Sequence, residues 1–101
     1  MKDLFWTKHS KIKMRQHSLS ESRVKRVINH PKRVEEGIAE KTVAVMQSAG
    51  SKKHPYEIWV MVQDTPKRRK IISAWRYPGE TKPGEALPEE ILREFREVSW
   101  F

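Results

Sequence analysis

Apolar residues in the first third of the chain recur at helical spacing, and those in the middle gather into runs of β type. After Leu4, Phe5 and Trp6, Thr7 is placed as the N-cap of a helix from about Lys8 to His17. Ser18 and Leu19 break that pattern. Ser20 is the predicted N-cap of a second helix carrying Val24, Val27 and Ile28 on one face, with Leu19 as the apolar staple ahead of the cap. Pro31 ends it, because the residue before a proline is driven from helical angles. From Arg33 the signal turns to β. RVEEGIA (33–39) and TVAVMQS (42–48) are short segments, while YEIWVMVQD (56–64) and KIISAWRY (70–77) are rich in Ile, Val, Trp and Tyr. The loops SAGSKKHP and TPKRR suit hairpins, so the four runs predict an antiparallel meander. Pro78 to Leu87 reads as an irregular linker. Pro88 then fits a first helical position, and Ile91, Leu92, Phe95 and Val98 form an apolar stripe on a third helix, 88–98. The expected fold class is α+β: two N-terminal helices packed on a four-stranded antiparallel sheet, plus a C-terminal helix.

Composition narrows the function classes. With 101 residues, 37% of them hydrophobic, the chain suits one domain with a modest core. No run approaches the roughly 20 apolar residues that cross a bilayer, and the start MKDLFWTKHSK has no apolar stretch with a cleavage site, so a soluble, cytoplasmic protein is expected. Cysteine is absent, which excludes disulfides, thiolate nucleophiles and Cys-ligated zinc. The 21 Lys and Arg against 13 Asp and Glu give a net charge of +8, the balance of a domain that meets a polyanion. Acidic residues collect in the last quarter, GEALPEEILREFREV, whereas the first third and TPKRRK are basic.

Within the first helix, His9, Lys13 and His17 are four residues apart and share one edge. Two imidazoles and an ammonium in a stripe are either a solvated basic face or an acid, base and phosphate-clamp set. Metal binding does not suit them, since His9 and His17 stand two turns, about 12 Å, apart along the axis. His30 and His54 precede prolines without a carboxylate cluster. In KIISAWRY, period-two alternation puts Ile71, Ser73, Trp75 and Tyr77 on one face and Ile72, Ala74 and Arg76 on the other. Both faces carry apolar residues, so the strand is expected to be central. Arg76 then either pairs with Glu57 or another carboxylate, or opens into a cleft and contacts phosphate, because an isolated buried charge is costly. Trp59, Trp75 and Tyr77 read as core, with Trp75 or Tyr77 able to stack on a base if exposed beside Arg76. Lys67, Arg68, Arg69 and Lys70 form a hairpin tip or strand start, placed for phosphate and carrying no base-reading information.

The stretch from His9 to Gly37, HSKIKMRQHSLSESRVKRVINHPKRVEEG, is similar to a pattern, roughly H-A-x-x-R-M-x-x-R-G-I-S-x-x-x-V-x-x-x-I-x-x-P-x-x-V-x-E-G, of a family of small toxin-like domains. KIISAWRY resembles the R-I-I-S-A-R strand of the BrnT toxins. Both belong to the broad RelE-like superfamily of barnase-type folds, and the resemblance covers about residues 6 to 77. It implies a single RelE/BrnT-like domain and a metal-independent endoribonuclease of a toxin-antitoxin system, needing no cofactor and attacking through the ribose 2′-hydroxyl. His9 matches the family histidine, and Lys13 and His17 stand where the pattern has arginines. Trp75 replaces the arginine that closes the BrnT-like segment, so Arg76 would take its role from the opposite strand face. In that mechanism His9 is the expected base, Lys13, Arg15 or Arg76 holds the phosphate, and His17 or Tyr77 supplies the proton. The partners implied are RNA and an acidic antitoxin; alternatively the C-terminal helix, with its acidic edge, covers the basic cleft in its own chain or, in a homodimer, in a second copy. The alternatives are a non-catalytic basic nucleic-acid-binding module and a protein-pairing scaffold.

Overall fold

The computed structural model describes residues 3–37 and 41–98. Its elements are β1 (Asp3–Trp6), α1 (Lys8–Gln16), α2 (Glu21–Asn29), β2 (Arg33–Glu36), β3 (Thr42–Gly50), β4 (Pro55–Asp64), β5 (Arg68–Pro78) and α3 (Glu89–Val98). The α+β class and the three helices agree with the sequence reading, but the sheet does not. It has five strands in the order β1-β5-β4-β3-β2, and β1 pairs parallel to β5 while every other pairing is antiparallel. The four-stranded antiparallel expectation fails because Leu4, Phe5 and Trp6 form a fifth strand ahead of the helix. Four residues carry no usable period, and their strand exists because β5, distant in the sequence, offers them a ladder. The expected extension of the first β segment to Ala39 lies outside the described residues, as does the Val98 side chain.

Both helix starts follow from their caps. Thr7 Oγ1 accepts from the Ser10 amide at 3.1 Å, and Ser20 Oγ accepts from the Arg23 amide at 3.1 Å. The end of α1 is a Schellman turn: Leu19 N–H donates to Met14 O at 2.8 Å and Ser18 N–H to Arg15 O at 3.3 Å. Met14 and Leu19, the two residues such a turn brings together, are both buried in the same apolar cluster. This geometry puts Ser18 at φ 54°, a left-handed conformation that glycine adopts without strain.

The sheet is buried on both faces. On one face α1 and α2 add Met14, Leu19, Val24 and Val27 to Val45, Ile58, Val60, Val62, Ile71 and Ala74. On the other, α3 lays Ile91 and Phe95 on Ala44, Met46, Trp59, Met61, Ile72 and Trp75. Trp59 and Trp75 stack at 6.2 Å, and Phe95 meets both edge-on at 6.2 Å. Strand β5 is flanked by β4 and β1, but strict alternation does not hold along it. Met61 pairs with Ser73 and Val62 with Ile71, which leaves Ile72 as an extra residue. The bulge moves Ile71 to the face of Ala74 and Ile72 to that of Trp75, correcting the period-two assignment at that point.

Relieving the left-handed strain at Ser18 should stabilise the domain. Ser18→Gly is expected to gain about 0.5–1 kcal/mol, a rise of several degrees in Tm by differential scanning calorimetry. An unchanged or lower Tm would contradict the strain assigned to this turn.

Candidate active site

Strand β1 covers the outer edge of β5 only from Arg68 to Ile71. Beyond that, α1 runs along the edge and its two ends satisfy strand groups. At the start, Thr7 N–H and Oγ1 donate to Ile71 O at 3.2 and 2.8 Å, and Oγ1 also reaches Ile72 O at 3.3 Å. At the end, the Arg76 amide donates to His17 Nδ1 at 3.2 Å, while Arg76 Nε and Nη2 donate to His17 O at 2.8 Å and Ser18 O at 3.2 Å. The imidazole takes a strand-edge N–H, and the guanidinium takes carbonyls that the helix end leaves unpaired. The Arg76 guanidinium also lies 5.0 Å from the Tyr56 ring centroid.

His9, Lys13 and His17 do share the predicted edge of α1, but that edge faces α3. Lys13 is 8% exposed, and its Nζ sits 2.7 Å from Glu94 Oε1. One turn further along α3, Glu97 Oε1 lies 3.7 Å from His9 Nε2. The two helices therefore run antiparallel, with the acidic edge of α3 against the stripe. The residues of α1 most open to solvent are others, among them Lys8, Lys11, Ile12 and Arg15. Arg15 is two residues from both Lys13 and His17, which turns it to the far side of the helix.

His17 is held below the ordinary histidine range. Burial is the main cause, the Lys13 and Arg76 cations add to it, and Glu94 opposes them. Because a backbone amide can only donate, Nδ1 must carry the lone pair, and in the neutral ring the proton is on Nε2. His17 in this state is a hydrogen-bond donor at Nε2 and has no free basic nitrogen. Arg76 is exposed and, among the described residues, meets no carboxylate within ion-pair distance. An anion can therefore be held between the remaining guanidinium N–H groups and the imidazole.

Glu57 is not the partner of Arg76. It pairs with Tyr77 in register, one residue out of phase with Arg76, and so lies on the opposite face of the sheet. There it is 1% exposed, accepting from Thr81 N at 2.7 Å, Thr81 Oγ1 at 2.9 Å and Trp59 Nε1 at 3.0 Å. Thr81 Oγ1 in turn accepts from Arg33 Nη1 at 2.7 Å, so this buried carboxylate fastens the segment between β5 and α3 to the sheet. Trp75 is buried, and Tyr77 is half-buried against the α3-side cluster, away from Arg76. The aromatic ring beside Arg76 is Tyr56, on the neighbouring strand.

Lys67, Arg68, Arg69 and Lys70 are not gathered with His17 and Arg76. Seven residues of extended chain, roughly 23 Å at 3.3 Å each, separate Arg69 from Arg76. Arg69 is held by Asp64 in a two-pronged pair, Nε to Oδ1 at 2.7 Å and Nη2 to Oδ2 at 3.2 Å. Arg69 also lines a cavity of about 830 Å³ between β1 and α2, together with Leu4, Trp6, Lys25 and Ile28. Among the described residues no three His, Asp or Glu side chains gather as metal ligands would, and no helix is long and apolar enough to cross a membrane. Sequence reasoning missed Tyr56 and did not single out Glu94 or Glu97, although it offered the acidic edge of the third helix as a cover for the basic cleft. The acidic last quarter was the only signal for the latter two. Comparison of the chain with protein-family models, curated proteins and solved structures gave no match.

Two outcomes follow from this geometry. Since His17 takes up a proton more readily unfolded than folded, stability should fall as pH drops below about 6.5. The fall in urea midpoint between pH 7.5 and 5.5 should be smaller in His17→Gln, whereas equal falls would count against the buried neutral imidazole. Glu94→Gln leaves Lys13 buried beside a neutral amide, and equilibrium denaturation should register a loss of about 3 kcal/mol.

Proposed function

We propose that this chain is an RNA-directed domain of the RelE/BrnT type, acting as a metal-independent endoribonuclease by attack of the ribose 2′-hydroxyl on the adjacent phosphorus. The observation that carries the reading is the Arg76 guanidinium, exposed and without a described carboxylate partner, locked to His17 at one end of β5 in a chain of net charge +8. Arg76 holds a phosphoryl oxygen, and His17 Nε2–H donates to the charge that develops as O2′ bonds to phosphorus; the P–O5′ bond breaks, the 2′-hydroxyl proton passes to solvent water, and water protonates the leaving 5′-oxygen. His9 stands about 12 Å from His17 along α1, too far to serve the same phosphodiester. In this proposal His9 is therefore not the base. Lys13 is neutralised by Glu94 and acts on His17 through its field rather than on the phosphate.

A second reading, a basic module that binds RNA without cleaving it, is favoured by the same hydrogen bond. With Nδ1 engaged by the Arg76 amide, the clamp has donors but no free base. An acidic partner of antitoxin type would meet the exposed Arg76 and the hairpin cations, because Lys13 and His9 already face the acidic edge of α3. The apolar stripe of α3 is laid on its own sheet through Ile91 and Phe95.

Cleavage of free and ribosome-bound RNA with EDTA present separates the readings. The nuclease reading expects loss of intact RNA by the wild type, a rate about 10²–10³-fold lower in Arg76→Lys, and little change in His9→Ala. Binding that weakens steeply with salt while the RNA stays intact would replace it with the non-catalytic module.

A further inference from the structure

At the end of β5 opposite Arg76, the β4–β5 turn meets β1. Phe5 lies beside Lys70 in register, and Arg68, two residues from Lys70, projects from the same face of the sheet. Phe5 is 43% exposed, and the Arg68 guanidinium carbon lies over its ring, 5.0 Å from the centroid. Around them a shallow cavity of about 500 Å³ is bounded by Phe5, Thr65, Pro66, Lys67, Arg68 and Lys70. Arg69 projects from the other face and is neutralised by Asp64. Lys67, Arg68 and Lys70 have no carboxylate within ion-pair distance among the described residues. A half-exposed aromatic ring with a guanidinium over it, flanked by two further cations without an ion-pair partner among the described residues, is a combination that takes a base by stacking and its phosphates by charge.

We infer that this cavity is a subsite for one nucleobase of a single-stranded polynucleotide, stacked against the Phe5 ring and the Arg68 guanidinium that lies over it, with Lys67 and Lys70 on the flanking phosphates. The ligand class rests on the RNA-directed reading, but the subsite does not depend on cleavage. A duplex keeps its bases inside the stack and could not use the ring, and an acidic peptide would engage the cations but leave the ring face unused.

The test is fluorescence anisotropy with a labelled, mixed-sequence single-stranded oligodeoxynucleotide, which lacks the 2′-hydroxyl and so cannot be cut by the proposed route. Phe5→Leu, which keeps apolar bulk in β1, should bind about tenfold more weakly, and Phe5→Trp at least as tightly as wild type. Lys70→Gln should reduce the slope of log affinity against log salt by about one. Circular dichroism confirms that each variant is folded. Wild-type affinity in Phe5→Leu, equal binding of a duplex, or equal competition by polyglutamate would overturn the proposal. A ribonucleotide strand of the same sequence should bind at least as tightly, and a clear preference for the deoxy strand would overturn RNA as the source of the ligand. Absence of ribonuclease activity in the cleavage assay leaves these binding results standing, so the two failures are distinguishable.

Discussion

The outer edge of β5 is the constraint around which this fold is arranged. A strand edge presents N–H and C=O groups that must find partners or invite another chain to pair with them. Here β1 pairs with the first four residues of β5 and α1 lies along the next stretch, with Thr7 and His17 as the contacts at its two ends. Arg76 completes the arrangement from the strand side by taking the carbonyls of His17 and Ser18. Since these contacts fix how far α1 slides along the strand, they also fix which helix residues come to face α3.

That placement decides the electrostatics. The stripe of His9, Lys13 and His17 is set against Glu94 and Glu97, so a basic helix edge and an acidic one are each covered by the other. What remains for a ligand on this side is the permanent charge of Arg76 and the donor nitrogen of His17, whose other nitrogen is committed to the strand. The residues that look most like an acid-base pair in the sequence are thus divided, one serving as a strand-edge cap and the other facing a carboxylate. This is why the structure supports anion binding more directly than proton transfer, and why the ribonuclease reading rests on Arg76 and His17 together.

The opposite face of the sheet is governed by a different polar contact. Glu57 is buried under the segment that leads to α3, with its carboxylate accepting from Thr81 and Trp59. Burial of a carboxylate is tolerable only with such donors. The bonds also anchor the segment read as an irregular linker, so α3 is held both by its apolar stripe and by the chain that precedes it.

Much of the local structure was legible in the sequence. Thr7 and Ser20 mark the helix starts, Pro31 the end of the second helix, and the Val, Ile and Trp runs the three long strands, because caps, turns and side-chain periods act within about four residues. The four-residue spacing of His9, Lys13 and His17 was likewise sufficient to put them on one edge. The acidic third helix was legible as one alternative cover for that edge, but that it is the cover was not, nor was the existence of β1, the bulge at Ile72, or the partner of Arg76. Each is settled by an element far away in the chain: α3 for the stripe, β5 for Leu4 to Trp6, β4 for the phase of β5, and the end of α1 for the guanidinium. Sequence therefore determined the elements, their capping and the excess of positive charge. Only the tertiary structure decided which charges are neutralised and which stay open, since pairing across strands and helices depends on register, and register is a property of the assembled sheet.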